Sequence, residues 1–236
     1  MEDSSTKKLL FTTVKLSLVA QIVTGIIDAL ALTVDYNGDR KLVQGLIVVE
    51  LSVQIIEFIF YVWLFTGFEE INNITPRRYY DWMFTTPSML FVLIVYLDYI
   101  KNNKTVPEKK YSDETWGDYL KTSFIKHGYD LSIIVPLNFL MLLFGYLGEI
   151  NIIKNYQAVF YGFLPFIAYF YYIYEKYAKY TRNGKILFFI FSGLWSLYGV
   201  SALFPYLWKN ISYNILDIFS KNFFGIFLAY VAVFNV

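Results

Sequence analysis

Lys221 lies ten residues into the last apolar run of the chain, 211–236, and Asp217 precedes it by four residues. A lysine in the middle of a membrane-length helix is expensive to hold, so it is a functional-site hypothesis by default. A spacing of four residues is one helical turn, so amine and carboxylate share a face and offset each other's charge. Such an amine is also suited to imine chemistry, condensing with an aldehyde while the carboxylate balances the protonated product. The plainer reading is an ion pair joining two helices, and the pair alone does not separate the two.

A second polar set falls in the third apolar run. Arg78, Asp81 and Thr85 follow one another at i, i+3 and i+4 spacing, which aligns a cation, a carboxylate and a hydroxyl on one helical face. Trp82 and Thr86 form an adjacent stripe. Pro87 predicts a kink, and Thr86 can help satisfy the carbonyl that the proline frees. On the second run Glu50, Gln54 and Glu57 share a face over two turns. Carboxylates there need a polar route or strong hydrogen bonds. Helix-to-helix bonding of protonated glutamates is the alternative to a cation path.

The elements that must position these residues are membrane spans. The chain is 57% apolar and 21% aromatic over 236 residues, against about 45–50% apolar for soluble domains. Seven apolar runs recur, at 9–33, 42–65, 79–100, 124–147, 152–174, 186–208 and 211–236, each long enough to span a bilayer. Lys126, His127 and Asp130 interrupt the start of the fourth, whose apolar body begins at Leu131. The expectation is an all-α membrane protein, one seven-helix domain over residues 1–236. The first run is longer than a signal-peptide core and no small-residue cleavage site follows it, so it reads as a span.

Lys101, Lys104, Lys109 and Lys110 lie between the third and fourth runs, and Lys176, Lys179, Arg182 and Lys185 between the fifth and sixth. The alternate connections are poorer: Glu69 and Glu70 offset Arg77 and Arg78, Glu149 offsets Lys154, and Lys209 stands alone between the sixth and seventh. The positive-inside rule then places the N-terminus outside and the C-terminus inside, with Lys7 and Lys8 outvoted. Without cysteine, disulfides and thiolate metal sites are excluded, and a single histidine argues against His-based metal or triad chemistry. Residues 35–40 (DYNGDR) have Leu46 where a calcium loop needs its glutamate, so they read as a turn.

Three motifs carry a resemblance to a known family. Residues 78–87 fit R-Y-x-D-W-x-x-T-T-P, residues 195–198 fit W-x-x-Y, and residues 216–225 fit L-D-x-x-x-K-x-x-F-G. In type and order these resemble the third-, sixth- and seventh-helix signatures of microbial (type 1) rhodopsins, over essentially all seven spans. The resemblance implies all-trans retinal held on Lys221 as a protonated Schiff base. Asp81 and Asp217 would be its paired counterions, with Arg78 and Thr85 beside them. Trp82, Trp195, Tyr198 and Thr86 would line the retinal pocket.

The sequence departs from the family's outward proton pumps. Val92 stands where their proton donor would be, the connection before the seventh run has no acidic residue, and Gly199 and Ala202 replace a proline and a pocket tryptophan. Together with Glu50 and Glu57, this resembles the viral channelrhodopsin group of viral rhodopsins, which implies a cation path through Ser17, Glu50, Glu57, Asn214 and Asn222. Lys209 and Asn210 also match that group, and neither glutamate is expected beside Lys221. Asp130 is a weaker candidate to face the bundle.

The leading expectation is a light-gated cation channel. A light-driven outward proton pump, kept open by Asp81 and Thr85, is the first alternative. A photosensor acting through a partner is the second, and a chain ending at Val236 shows no effector segment for it. The protein is expected not to be an enzyme, with no catalytic or metal-ligating residue assigned. Its expected partners are the lipid bilayer, monovalent cations or protons, and a second copy in a homo-oligomer, with no nucleic acid. It would be an integral multi-pass protein, in the host cell membrane if viral.

Overall fold

The computed structural model describes residues 2–38, 40–68, 73–102 and 114–234. Those residues are helical wherever they are regular. The elements are α1 (Glu2–Ala31), α2 (Arg40–Thr66), α3 (Thr75–Lys101), α4 (Trp116–Lys126), α5 (Gly128–Glu149), α6 (Asn155–Lys176), α7 (Arg182–Ser201), α8 (Tyr206–Asp217) and α9 (Phe223–Phe234). A 3₁₀ turn covers Ala178–Tyr180, and a π-helical turn, Ile218–Asn222, joins α8 to α9. Six helices are long and apolar enough to cross a membrane, counting Tyr206–Phe234 as one. The tyrosine-rich α6 completes a seven-helix bundle.

Neighbours in the bundle follow the chain: α1 packs on α2, α2 on α3, α3 on α5, α5 on α6 and α6 on α7. The last span packs on both α7 and α1 and so closes the ring. Buried residues make up 67% of the apolar window of α3, more than in any other span. The sequence motif of α3 therefore lies at the centre of the bundle.

Local chemistry explains where the helices begin and end. Thr115 and Asp118 cap α4 reciprocally, with the Asp118 amide on Thr115 Oγ1 and the Thr115 amide on Asp118 Oδ2. The end of α5 is a Schellman turn, with Asn151 at φ 60° and the Ile152 amide donating to the Leu147 carbonyl at 2.9 Å.

Several sequence expectations need correction. The fourth run is not one helix from 124: the chain breaks at His127, and α4 packs instead against α2 at Gly45. The last connection is 202–205, so Lys209 belongs to the second turn of α8, where it forms a buried ion pair with Glu149 at 2.8 Å. It is not a loop charge. The Thr86 hydroxyl returns to the Trp82 carbonyl (2.7 Å), whereas Pro87 frees that of Met83. Glu69, Glu70, Lys104, Lys109, Lys110 and Asp39 lie outside the described residues.

At the bundle end bearing the α3 C-terminus, polar groups tie α3, α5 and α6 together. Lys126 pairs with Asp98 at 2.5 Å, and His127 Nδ1 lies 3.0 Å from the Tyr177 hydroxyl. Asp130 accepts from Tyr172 at 2.5 Å and also from Lys176 and Tyr177. Asp130 thus faces inward, as a clamp near the surface.

Burial holds the His127 pKa below its ordinary value against the opposing pull of Asp98 and Asp130. A histidine with a lowered folded pKa contributes stability that is full above its unfolded pKa, about 6.5, and is lost as pH falls from there through the lower folded value. Thermal midpoints measured between pH 8 and pH 5 are expected to fall with pH, and His127→Gln to flatten that slope. Gly45→Ala places a Cβ 2.8 Å from Leu120 Cγ and 3.2 Å from the Trp116 carbonyl, an overpacking expected to cost about 1–3 kcal/mol. Gly193→Ala meets nothing within 4 Å and is expected to be neutral or slightly stabilising by thermal melting.

Candidate functional site

Three polar stripes meet inside the bundle. On α1 the buried residues Thr13, Ser17, Gln21, Thr24 and Asp28 recur every three or four positions. On α2 the set is Glu50, Gln54, Glu57 and Tyr61, and on the last span Asn210, Asn214, Asp217 and Lys221. Helical geometry puts each set on one face. The π turn widens the last stripe, so Ser220, Lys221 and Asn222 are all buried although consecutive. Inserted π turns of this kind recur at functional sites.

Lys221 Nζ lies 3.0 Å from Asp81 Oδ2, 3.3 Å from Glu57 Oε1 and 3.5 Å from Asp217 Oδ1. Arg78, fully buried, reaches Asp217 Oδ2 at 3.2 Å, Asn210 Oδ1 at 3.3 Å and Asn214 Oδ1. Asp217 also accepts from Tyr61 and from Tyr198, each at 2.7 Å. The two aspartates are therefore held differently. Asp217 is fixed from four directions, whereas the one hydrogen bond that Asp81 accepts through its carboxylate among the described residues is from Lys221. Thr85 is adjacent to Asp81 but bonds its backbone carbonyl, at 3.1 Å.

Glu57 corrects the sequence expectation, because it stands beside Lys221. Ser17 and Asn214 meet: the Ser17 hydroxyl donates to the Asn214 carbonyl at 3.0 Å, and the Asn214 amide donates to Thr13 at 2.9 Å. Glu50 and Asn222 are buried with no hydrogen-bond partner among the described residues. Sequence reasoning missed Tyr61, Gln21 and Asp28. The signal was there, since Tyr61 continues the Glu50–Gln54–Glu57 face by one turn, and Gln21 and Asp28 continue the Ser17 face.

On the other side of Lys221 an aromatic cleft runs out between α3, α5, α6 and α7. Trp82, Thr86, Met141, Phe166, Trp195 and Tyr198 line it, together with Ser220 and Lys221 of the last span. Trp82 meets Tyr198 and Tyr213 edge-on, and Trp195 packs on Phe191 at 4.9 Å. Asn138 donates to Thr86 Oγ1 at 2.7 Å, which fixes that wall. At Gly199 a Cβ would sit 2.6 Å from the Phe163 ring, so glycine lets that ring approach α7. An apolar cleft lined in part by an amine that faces carboxylates fits an apolar aldehyde cofactor tethered there.

This is a polytopic membrane protein with an internal cofactor cleft. The chain belongs to the bacteriorhodopsin-like protein family, whose model matches residues 12–235, and so to the retinal-binding microbial rhodopsins, generally not enzymes. The viral rhodopsin OLPVRII is 28% identical, with 97% of this chain and 99% of that one covered and a TM-score of 0.80. Xanthorhodopsin, described as a light-driven ion pump with dual chromophore, is 16% identical over 98% and 94% of the two chains, with a TM-score of 0.71. Bromide-bound halorhodopsin from Halobacterium salinarum is 14% identical over 98% and 97%, at 0.70. These last two share the fold. No curated protein sequence matches the chain.

The unequal holding of the two aspartates has a measurable consequence. Asp217→Asn removes the carboxylate from the fully buried Arg78, and breaking a buried pair costs about 3–5 kcal/mol. Asp81→Asn leaves Arg78 paired and Lys221 still facing Glu57 and Asp217. Thermal unfolding is expected to rank wild type above Asp81→Asn and Asp81→Asn clearly above Asp217→Asn. An equal loss in both variants would contradict the geometry.

Proposed function

We propose that this microbial rhodopsin is a light-gated cation channel, one seven-helix domain with its N-terminus outside and its C-terminus inside. All-trans retinal, joined to Lys221 and lying in the aromatic cleft between Trp82 and Trp195, supplies light absorption and a change of shape. Asp81 and Asp217 balance the charge at Lys221 Nζ, and Glu57 joins them as a third carboxyl. Arg78 holds Asp217 and blocks the polar stripes on its side. Tyr198 and Thr86 fix the cleft walls, and Thr85 supports the backbone beneath Asp81.

The observation that carries the channel reading is the seam between α1, α2 and the last span. Side-chain atoms of Glu50, Gln54 and Asn222 in it are buried without hydrogen-bond partners among the described residues. An unsatisfied buried polar group costs about 1–3 kcal/mol, and polar seams of this kind are relieved by water. A wet seam lined with carboxyl groups favours cations. The pump's donor position offers no comparable route on α3, since Val92 is buried in the apolar core among Met89, Leu93 and Val95. Asp98, further along, is engaged by Lys126. The protein works in the lipid bilayer, the host's if it is viral, alone or as a homo-oligomer.

Patch-clamp recording under illumination tests the reading. Current is expected to reverse with the cation gradient, whereas unidirectional current would select the outward pump. Lys221→Ala is expected to abolish visible absorption in protein supplied with retinal. Glu57→Gln is expected to change both spectrum and current, because it removes a carboxylate 3.3 Å from Nζ. Glu50→Gln is expected to change the current while leaving the absorption maximum in place.

A further inference from the structure

Asp28, on α1, has no role in the site around Lys221, yet it is fully buried. The Gln54 side-chain amide on α2 donates to its Oδ2. Its other oxygen, the Gln54 carbonyl and both oxygens of Glu50, one turn from Gln54, have no partner among the described residues. Glu50 is fully buried as well. Two carboxyl groups and an amide thus face the seam with unused lone pairs, an arrangement costlier than an apolar contact of the same shape.

The Asp28–Gln54 bond crosses bare backbone. At Gly225 on α9 a Cβ would lie 2.5 Å from Gln54 Nε2 and 2.7 Å from Asp28 Oδ2, so close that these side-chain ends would have to move. Gly225 follows Lys221 by four residues, just beyond the π turn. A shift of the last span toward α1 and α2 would therefore carry the Gly225 backbone against this bond. The bond ties α1 to α2 across the helix that carries Lys221.

We propose that Asp28, Gln54 and Glu50 form a second constriction of the cation path, closed by the Asp28–Gln54 bond over Gly225. When that bond parts, the constriction binds a partly dehydrated monovalent cation. The proposal rests on the channel reading. Asp28 and Glu50 supply the charge that replaces lost hydration, and Gln54 alternates between bonding Asp28 and offering its carbonyl to the ion.

Whole-cell recording of the full chain with retinal, under sodium and then potassium gradients, tests this with absorbance as the measure of folding. Asp28→Asn keeps an acceptor for Gln54 but removes the charge. Photocurrent is expected to fall about tenfold, the occupancy change for ~1.4 kcal/mol of lost attraction, or its reversal potential to shift, with the absorption maximum unmoved. Gly225→Ala wedges the bond apart and is expected to pass cations in the dark. If either variant forms no pigment, Gln54→Leu breaks the same bond from α2 and is expected to give the dark current. Wild-type photocurrent and reversal potential in Asp28→Asn, or dark silence with wild-type photocurrent in Gln54→Leu, would overturn the proposal. Those results beside a reversible current altered by Glu57→Gln would leave the channel reading standing. A wild-type current that never reverses would end both.

Discussion

The structure is organised around a charge that cannot leave. Lys221 and Arg78 are both buried in the bundle, and three carboxyl groups, Asp81, Asp217 and Glu57, surround the lysine. Desolvating each ion costs several kcal/mol, which attraction offsets only when geometry and hydrogen bonds are good. That requirement explains the company Asp217 keeps. Tyr61 and Tyr198 donate to it from two different helices while Arg78 reaches it from a third. The cluster thereby fixes α2, α3, α7 and the last span relative to one another, in an interior where apolar packing alone gives little orientational preference.

With the cluster in place, the interior divides in two. Toward α1 and α2 the facing side chains are hydroxyls, amides and carboxyls, and toward α5, α6 and α7 they are aromatic and aliphatic. Lys221 sits on the boundary because the π turn lets neighbouring residues of the last span face both halves: Ser220 reaches the cleft and the Tyr198 hydroxyl, while Asn222 is buried with unpartnered amide atoms. An uninterrupted α-helix would turn one of these residues toward lipid. The same five residues thus serve the cofactor side and the polar side together.

Much of this was legible in the sequence. Seven apolar runs, and the lysine, aspartates and arginine at fixed helical spacings, determine which faces meet, because in a membrane every ionised group must find another. What the sequence left obscure has physical causes. Glu57 falls beside Lys221 only because α2 packs closely on both α3 and the last span, and heights across neighbouring helices depend on tilts that no single helix encodes. The polar residues Lys126, His127 and Asp130 signalled an interruption there, but not that the chain before it forms a separate helix, because α4 is amphipathic and nearly contiguous with α5. Lys209 looked like a loop charge because its partner, Glu149, is 60 residues away on another helix. Asp28 passed unnoticed because one acid in an apolar run has no motif, and its meaning comes from Gln54 and Gly225 packing around it.

On the channel reading, conducting and pumping would also differ in when the two closures of the seam open. On one side of Lys221 the seam is shut by Arg78, Asn214, Ser17 and Thr13, all hydrogen-bonded in this structure. On the other side Asp28 and Gln54 are bonded over Gly225. A pump must open these closures alternately, since one moment with both open dissipates the gradient. A channel must open them together. Both closures touch the last span, one at Asn214 and one at Gly225, within about two turns and one turn of Lys221 respectively. A motion that displaces this span as a unit strains both at once, whereas alternate opening requires the span to bend between them. The π turn, at Ile218–Asn222, lies in that interval. The Phe219–Phe223 ring contact (5.3 Å between centroids) and the Tyr198–Ser220 bond both involve residues of that turn.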